Sequence, residues 1–248
     1  MLTLPARTAK PRKAGLTCLT DTGLTIAQTK SMLEDYAEYI DVAKFGIGTA
    51  HVTPRLIEKI GLYQDHDVTV YFGGTLFEKY YSQNKLDLYV EILKSHNIKH
   101  VEISAGTLDI SIDDQISLVK NFKGDFKCFC EVGTKDTQAV LPPSKWISDM
   151  TELLNAGASY VIAEGRDSGT AGIFRPSGEL RMGLVTDLAG NIGMQNVIFE
   201  APTHESQMIM INQFGANVNL GNIKPADVLV LETQRQALRY ETFFLESL

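Results

Sequence analysis

Cysteine is scarce in this chain. There are three in 248 residues, Cys18, Cys128 and Cys130. An odd, small number argues against a disulfide framework and for reduced thiols in a cytoplasmic setting. Cys128 and Cys130 lie two apart in an apolar run, so on a strand they share one face. No partner stands at the usual metal-ligand spacing, and buried structural thiols are expected. Long apolar runs are also missing: none approaches the roughly 20 residues that a membrane helix needs. Basic charge is in deficit, with 23 Lys and Arg against 30 Asp and Glu and a net charge of −7. That balance disfavours a general nucleic-acid binder, while leaving room for a local cationic pocket. Absent too are a Gly-rich dinucleotide turn after the first strand, a paired-histidine zinc helix, and a G-x-S-x-G elbow around Ser104 or Ser168. Residues 1–15 carry Arg7, Lys10, Arg12 and Lys13 with no apolar core behind them, so a secretory leader is not expected.

What is present reads as a globular chain, with 44% hydrophobic and 21% charged residues. Short apolar runs alternate with longer amphipathic ones. The strand candidates are Leu16–Thr20, Tyr39–Lys44, Val68–Phe72, His100–Ser104, Phe126–Val132, Tyr160–Glu164, Asn196–Glu200 and Val218–Leu220. Helical spacing falls between them, at Ile26–Tyr36, Pro54–Tyr63, Lys85–Ser95, Asp113–Asn121, Ser144–Asn155, Glu179–Asn191 and Glu205–Phe214, and after them at Pro225–Arg239. Ser111 suits a helix N-cap, Pro143 and Pro225 suit first turns, and Gly157 suits a C-terminal stop. Eight strand–helix pairs in about 250 residues predict an α/β fold of the (β/α)8 TIM barrel class. A doubly wound open sheet is the rival, and it usually has fewer pairs. The predicted organisation is a single barrel domain over 16–248, preceded by an N-terminal arm over 1–15.

In such barrels chemistry sits at the C-terminal ends of the strands. Those ends are polar here. Asp41 and Lys44 mark strand two, and Glu102, Glu131, Glu164 and Glu200 occupy equivalent positions in strands four to seven. Lys135 and Arg166 follow strands five and six. An ionised carboxylate inside a barrel is costly without a partner. Two readings stand for these acids: ligands of a hard divalent cation such as Mg2+, or partners of Lys44, Lys135 and Arg166. Lys in a partly buried site serves as a general acid when burial lowers its pKa, and Arg suits bidentate binding of anions. Glycines recur after strand ends, among them Gly73, Gly74 and Gly221, and suit loops that bring backbone N–H groups to an anion. Ser104, His204, Gln207, Asn219 and Asn222 complete the candidate substrate-binding set. Arg235 and Arg239 share a helix face and suit structural pairing.

The segments YIDVAKFGIGT, FGGTLFEKY, VEISAGTLDI, EVGTKD, AGASYVIAEGRDSGTAGI, IFEAP, VNLGNI and LETQRQALRYETF together resemble the phosphosulfolactate synthase family over about residues 15–244. The segment LPARTAKPR resembles its bacterial branch. The resemblance implies a (β/α)8 barrel and a Mg2+-dependent carbon–sulfur lyase. That enzyme adds sulfite to phosphoenolpyruvate and gives (2R)-2-O-phospho-3-sulfolactate. In methanogens this opens coenzyme M biosynthesis, and in some bacteria the product leads to other sulfonates. It implies Lys135 as the donor of the proton to C2, with Lys44 and Arg166 holding phosphate, carboxylate or sulfite. The expected metal ligands are Asp41, Glu102, Glu131, Glu164 and Glu200. All three cations are expected to face one cavity. The sequence departs from the archaeal pattern at Thr22, Ala105, Thr134, His204, Gln236 and Ala237. Two alternatives follow: an enzyme on the same scaffold that adds a different nucleophile to phosphoenolpyruvate, and a non-catalytic protein like the plant heat-stress relatives. The expected partners are small anions, with neither nucleic acid nor membrane, and a homo-oligomer is compatible with the apolar-poor arm.

Overall fold

The computed structural model describes residues 2–136 and 140–245. Met1, residues 137–139 and residues 246–248, which the predicted arm and barrel include, lie outside them. The eight strands are β1 (Thr17–Asp21), β2 (Val42–Phe45), β3 (Thr69–Phe72), β4 (His100–Ile103), β5 (Lys127–Val132), β6 (Tyr160–Ala163), β7 (Val197–Glu200) and β8 (Leu220–Ile223). All pair in parallel, in the order β3-β2-β1-β8-β7-β6-β5-β4. β3 and β4 lie side by side and nearly close the ring, with no ladder between them among the described residues. This is the predicted (β/α)8 TIM barrel.

The helices are α1 (Ile26–Tyr36), α2 (Thr49–Val52), α3 (Leu56–Asp65), α4 (Gly74–Ser82), α5 (Leu86–Ser95), α6 (Ile112–Phe122), α7 (Pro143–Ala156), α8 (Met182–Leu188), α9 (His204–Phe214) and α10 (Val228–Arg235). Local chemistry sets several boundaries. Thr25 and Gln28 form a capping box at α1, and Ser111 Oγ accepts from Asp114 N at 3.1 Å at α6. Pro143 occupies the first turn of α7, and Gly157 ends that helix at φ 118°. The sequence reading missed α4, whose first residue is a glycine.

Strand alternation sorts the interior into two layers. Cys18, Val42, Tyr71, Phe129, Ile162 and Ile198 form an apolar plug inside the barrel. Two residues further along, on the same faces, stand Lys44, Glu131, Glu164 and Glu200. Two residues rise about 6.6 Å along a parallel strand, so the charged layer sits directly above the plug. Cys128 and Cys130 point the other way, into the apolar layer beneath the helices.

The N-terminal arm crosses the opposite end of the barrel and docks through polar contacts. Arg7 pairs with Glu232 at 3.2 Å, and its Nη1 donates to Asn217 Oδ1 at 2.9 Å. Lys10 Nζ donates to Ala37 O at 2.9 Å. Arg12 pairs with Asp41 at 3.1 Å. Fully buried Arg235 ties α10 to the same end by donating to Ala216 O, Val218 O and Leu16 O.

Candidate active site

Four glutamates converge in the barrel mouth, each at most 4% exposed. Lys44 Nζ lies 2.8 Å from Glu200 Oε1 and 4.0 Å from Glu102 Oε2. Lys135 Nζ lies 3.0 Å from Glu131 Oε1 and 3.4 Å from Glu164 Oε2. Lys44 and Lys135 therefore face one carboxylate cluster from two sides. Glu102 accepts a hydrogen bond from Gly74 N, at the start of α4. Glu200 Oε2 accepts from Gly165 N at 2.9 Å. Gly165 has to be bare: a Cβ there would lie 2.8 Å from the Glu200 carbonyl oxygen. Burial first, and then the charge of Glu102, raise the hydroxyl of Tyr71 in the plug well above its ordinary value.

The protonation pattern follows from crowding. Burial, together with the charges of Glu131 and Glu200, raises Glu164 well above the usual carboxylate range. Burial acts upward on Glu131 as well, but Lys135, a hydrogen bond with Glu164, Lys44 and Ser104 outweigh it and hold that carboxyl at about 2. The two neighbouring carboxyls are thus driven apart, Glu164 upward by burial and by the charge of Glu131, Glu131 downward by Lys135. Burial lifts Glu102 to about 7 against the opposing pull of Lys44. For both lysines burial acts downward, yet the surrounding carboxylates win and raise them above the ordinary lysine value. This corrects the expectation that burial makes Lys135 a weakened base. Lys135 holds its proton firmly, as does Lys44.

The cluster suits a hard cation. Ligand oxygens of Glu131, Glu164 and Glu200 lie within 4.8 Å of one another. Glu102 Oε2 and Glu164 Oε2 are buried without a hydrogen-bond partner. Fully ionised, the four carboxyls would exceed the two ammonium groups by two charges, the charge of one divalent cation, so binding such a cation goes together with loss of the protons that burial favours on Glu164 and Glu102. Oxygen-only donors are what Mg2+ prefers.

Several predicted site residues lie elsewhere. Asp41 precedes β2 and sits three residues below Lys44, about 10 Å along the strand. There its carboxylate binds Arg12 and accepts from Thr17 N at 2.9 Å, so it anchors the arm and is no neighbour of the glutamates. Glu102 stands beside Lys44, outside the three-carboxylate cluster. Asn219 precedes β8 because that strand begins at Leu220. Its Oδ1 accepts from Leu16 N, and its amide donates to Met194 O, Gln195 O and Val197 O. It is a structural strut at the arm's end of the barrel.

Others do reach the mouth. Gly73 and Gly74 open α4, Gly221 packs inside against Glu200, and Asn222 Oδ1 accepts from Thr20 Oγ1 at 3.0 Å. Ser104 is buried, with Oγ 2.8 Å from Glu131 Oε1. Gln207 is buried on α9, donating to Ala201 O, with Oε1 unpartnered. His204 Nε2 contacts Asp227 Oδ1 at 2.9 Å on the exposed rim. Arg166 follows β6 at φ 57°, and its backbone N donates to Glu164 Oε1 at 2.6 Å. Its side chain is exposed and makes no ion pair among the described residues, so the structure brings together two of the three expected cations. Tyr71 and Glu78 were missed. The alternation of β3 places Tyr71 inward, whereas nothing in the sequence near Glu78 marks its partners.

Comparison with known proteins gives concordant results. The family model for (2R)-phospho-3-sulfolactate synthase (ComA) matches residues 5–241. A phosphosulfolactate synthase of Bacillus subtilis is 40% identical over 247 residues, covering 98% of each chain. One from Methanocaldococcus jannaschii is 40% identical over 235 residues, covering 92% of this chain and 94% of its own. Among solved structures, a 3-hexulose-6-phosphate synthase superposes with a TM-score of 0.53 at 12% identity, covering 89% of this chain and all of its own, which speaks to the fold alone.

Proposed function

This chain belongs to the phosphosulfolactate synthase family of enzymes, and we propose that it joins sulfite to phosphoenolpyruvate in the mouth of the barrel, giving (2R)-2-O-phospho-3-sulfolactate. The observation that carries this reading is the convergence of Lys44 and Lys135 on one buried glutamate cluster. Both reactants are anions, and bringing them together requires fixed positive charge in a site shielded from water.

The chemistry balances with groups at hand. The sulfur lone pair of sulfite attacks the methylene carbon C3 and forms the C–S bond. The electron pair of the C2–C3 double bond moves through C2 into the carboxylate. A proton then adds to C2, and no group leaves. Lys135 is charged and, with 27% of its side chain exposed against 10% for Lys44, is the buried lysine nearer the substrate's side of the mouth; it is the donor to C2 once the substrate displaces it from the carboxylates that raise its pKa. Lys44, at 10%, lies deeper and binds an anionic oxygen of the substrate. Arg166, on the rim, serves the phosphate or the incoming sulfite. Glu131, Glu164 and Glu200 would hold Mg2+, whose bound charge stabilises the developing enolate-like carboxylate as a Lewis acid.

Incubating the protein with phosphoenolpyruvate, sulfite and Mg2+, with and without a chelator, tests the reading. Phosphoenolpyruvate is expected to disappear, and a product of the mass of the 1:1 adduct to accumulate, only when metal is present. An adduct with another nucleophile, or no consumption under any condition, would reject sulfite as the substrate.

A further inference from the structure

Helix α4 supplies a carboxylate outside the ring of four. Glu78 is 2% exposed, and no lysine or arginine pairs with it among the described residues. Its partners all come from the loop that follows β4. Glu78 Oε1 lies 2.6 Å from Ser104 Oγ and accepts from Gly106 N at 3.0 Å, while Oε2 accepts from Thr107 N at 3.0 Å. A buried carboxyl that accepts from two backbone N–H groups, beside a hydroxyl whose one proton it shares with Glu131, is a directional fastening.

What that loop touches defines the consequence. Lys135 N donates to Gly106 O at 3.2 Å. Gly106 also faces the tip of the same lysine: a Cβ on it would lie 2.8 Å from Lys135 Nζ and 3.1 Å from Glu131 Oε1. Ser104 Oγ spans the remaining gap, 2.8 Å from Glu131 Oε1. One carboxylate on α4 therefore fixes a rail against which both ends of Lys135, and the acid it pairs with, are set.

We propose that Glu78 is a positioning residue for Lys135, acting through the backbone of Gly106 and the hydroxyl of Ser104. It touches no reacting atom. This inference rests on the reading of Lys135 as proton donor, and it deepens that reading by naming what aims the donor. A displacement of about 1 Å in a catalytic group costs about 100-fold in rate, so a slackened rail is felt in turnover more than in binding.

The test compares Glu78→Gln, Lys135→Ala and the double variant, with kcat and KM for phosphoenolpyruvate measured on the metal-loaded enzyme. Glu78→Gln keeps the shape but turns one acceptor into a donor facing an N–H. The expected result is a fall in kcat of at least about 10-fold with KM changed less than about threefold. Adding Glu78→Gln to Lys135→Ala should then cost less than about twofold further, because the group being aimed is gone. A kcat for Glu78→Gln within twofold of the parent, or full additivity on the residual turnover of Lys135→Ala, would overturn the proposal even if Lys135→Ala is strongly impaired. If Lys135→Ala itself retains full turnover, the donor reading fails first and takes this one with it. Should Glu78→Gln fail to fold, Gly106→Ala reads the same rail from the other side. Its methyl group presses on Lys135 Nζ, so kcat should fall with KM held, and an unchanged kcat would overturn the proposal.

Discussion

Lys44 on β2 and Glu200 on β7 meet across the barrel mouth, Nζ to Oε1 at 2.8 Å, both buried. The pair joins strands on opposite sides of β1 and β8. It also sets the electrostatic problem of the site, because Glu200 belongs to a three-carboxylate cluster that a single lysine cannot neutralise.

Removing the lysine should therefore be felt first as lost stability. Lys44→Met leaves Glu200 buried with, among the described residues, the Gly165 N–H as its hydrogen-bond donor. A broken buried pair of this kind costs about 3 kcal/mol. Urea unfolding of the metal-free protein should show that loss, and saturating Mg2+ should reduce it, since the cation supplies the missing positive charge. An equal loss with and without Mg2+ would place the cation away from Glu200.

Asp41 and Glu131 should part company in a metal titration. Glu131→Gln removes a ligand and should weaken Mn2+ binding, read by electron paramagnetic resonance, by about 10-fold or more. Asp41→Asn removes only the Arg12 anchor. It should lower the thermal midpoint while leaving Mn2+ affinity within about twofold. Equal weakening by both substitutions would contradict the placement of Asp41 at the arm's end of the barrel.

The thiols give a prediction for alkaline pH. Burial raises Cys128 from 9.0 to about 11, against the opposing charge of Lys123, and burial raises Cys18 and Cys130 above their ordinary value as well. A native pKa above the unfolded one means that the unfolded chain loses its protons first. The stabilisation is thus complete below pH 9.0 and declines as pH climbs through about 11. At pH 8 the Cys128 thiolate fraction in the folded protein is about one in a thousand. A disulfide reagent at pH 8 should titrate no thiol promptly in the native protein and all three in urea. Rapid native labelling of any cysteine would contradict the burial.

Much of this architecture was legible in the sequence because strand alternation and helical spacing reach the chain locally. Glu131, Glu164 and Glu200 hold equivalent positions in their strands, which is how the sequence groups them, and in the barrel each follows an inward apolar residue by two. Asp41 and Asn219 were misplaced for a boundary reason. Each lies just before its strand: β2 begins three residues and β8 two residues later than the sequence pattern suggests, which leaves both side chains at the arm's end of the barrel. Glu78 was invisible because its partners are 26–29 residues away, and α4 was missed because a glycine pair reads as a turn. The protonation state of Lys135 depends on carboxylates from two other strands as well as its own, which no local pattern reveals.

The most direct measurement is nuclear magnetic resonance of phosphoenolpyruvate labelled with 13C at C3, turned over with sulfite and Mg2+ in D2O. The account predicts that the C3 resonance moves from the olefinic region to that of a sulfonate-bearing methylene. C2 should acquire one deuterium, and Lys135→Ala should slow the conversion by about 100-fold or more without abolishing substrate binding. An unshifted C3 resonance, a bond from C3 to an atom other than sulfur, or undiminished conversion by Lys135→Ala would contradict it.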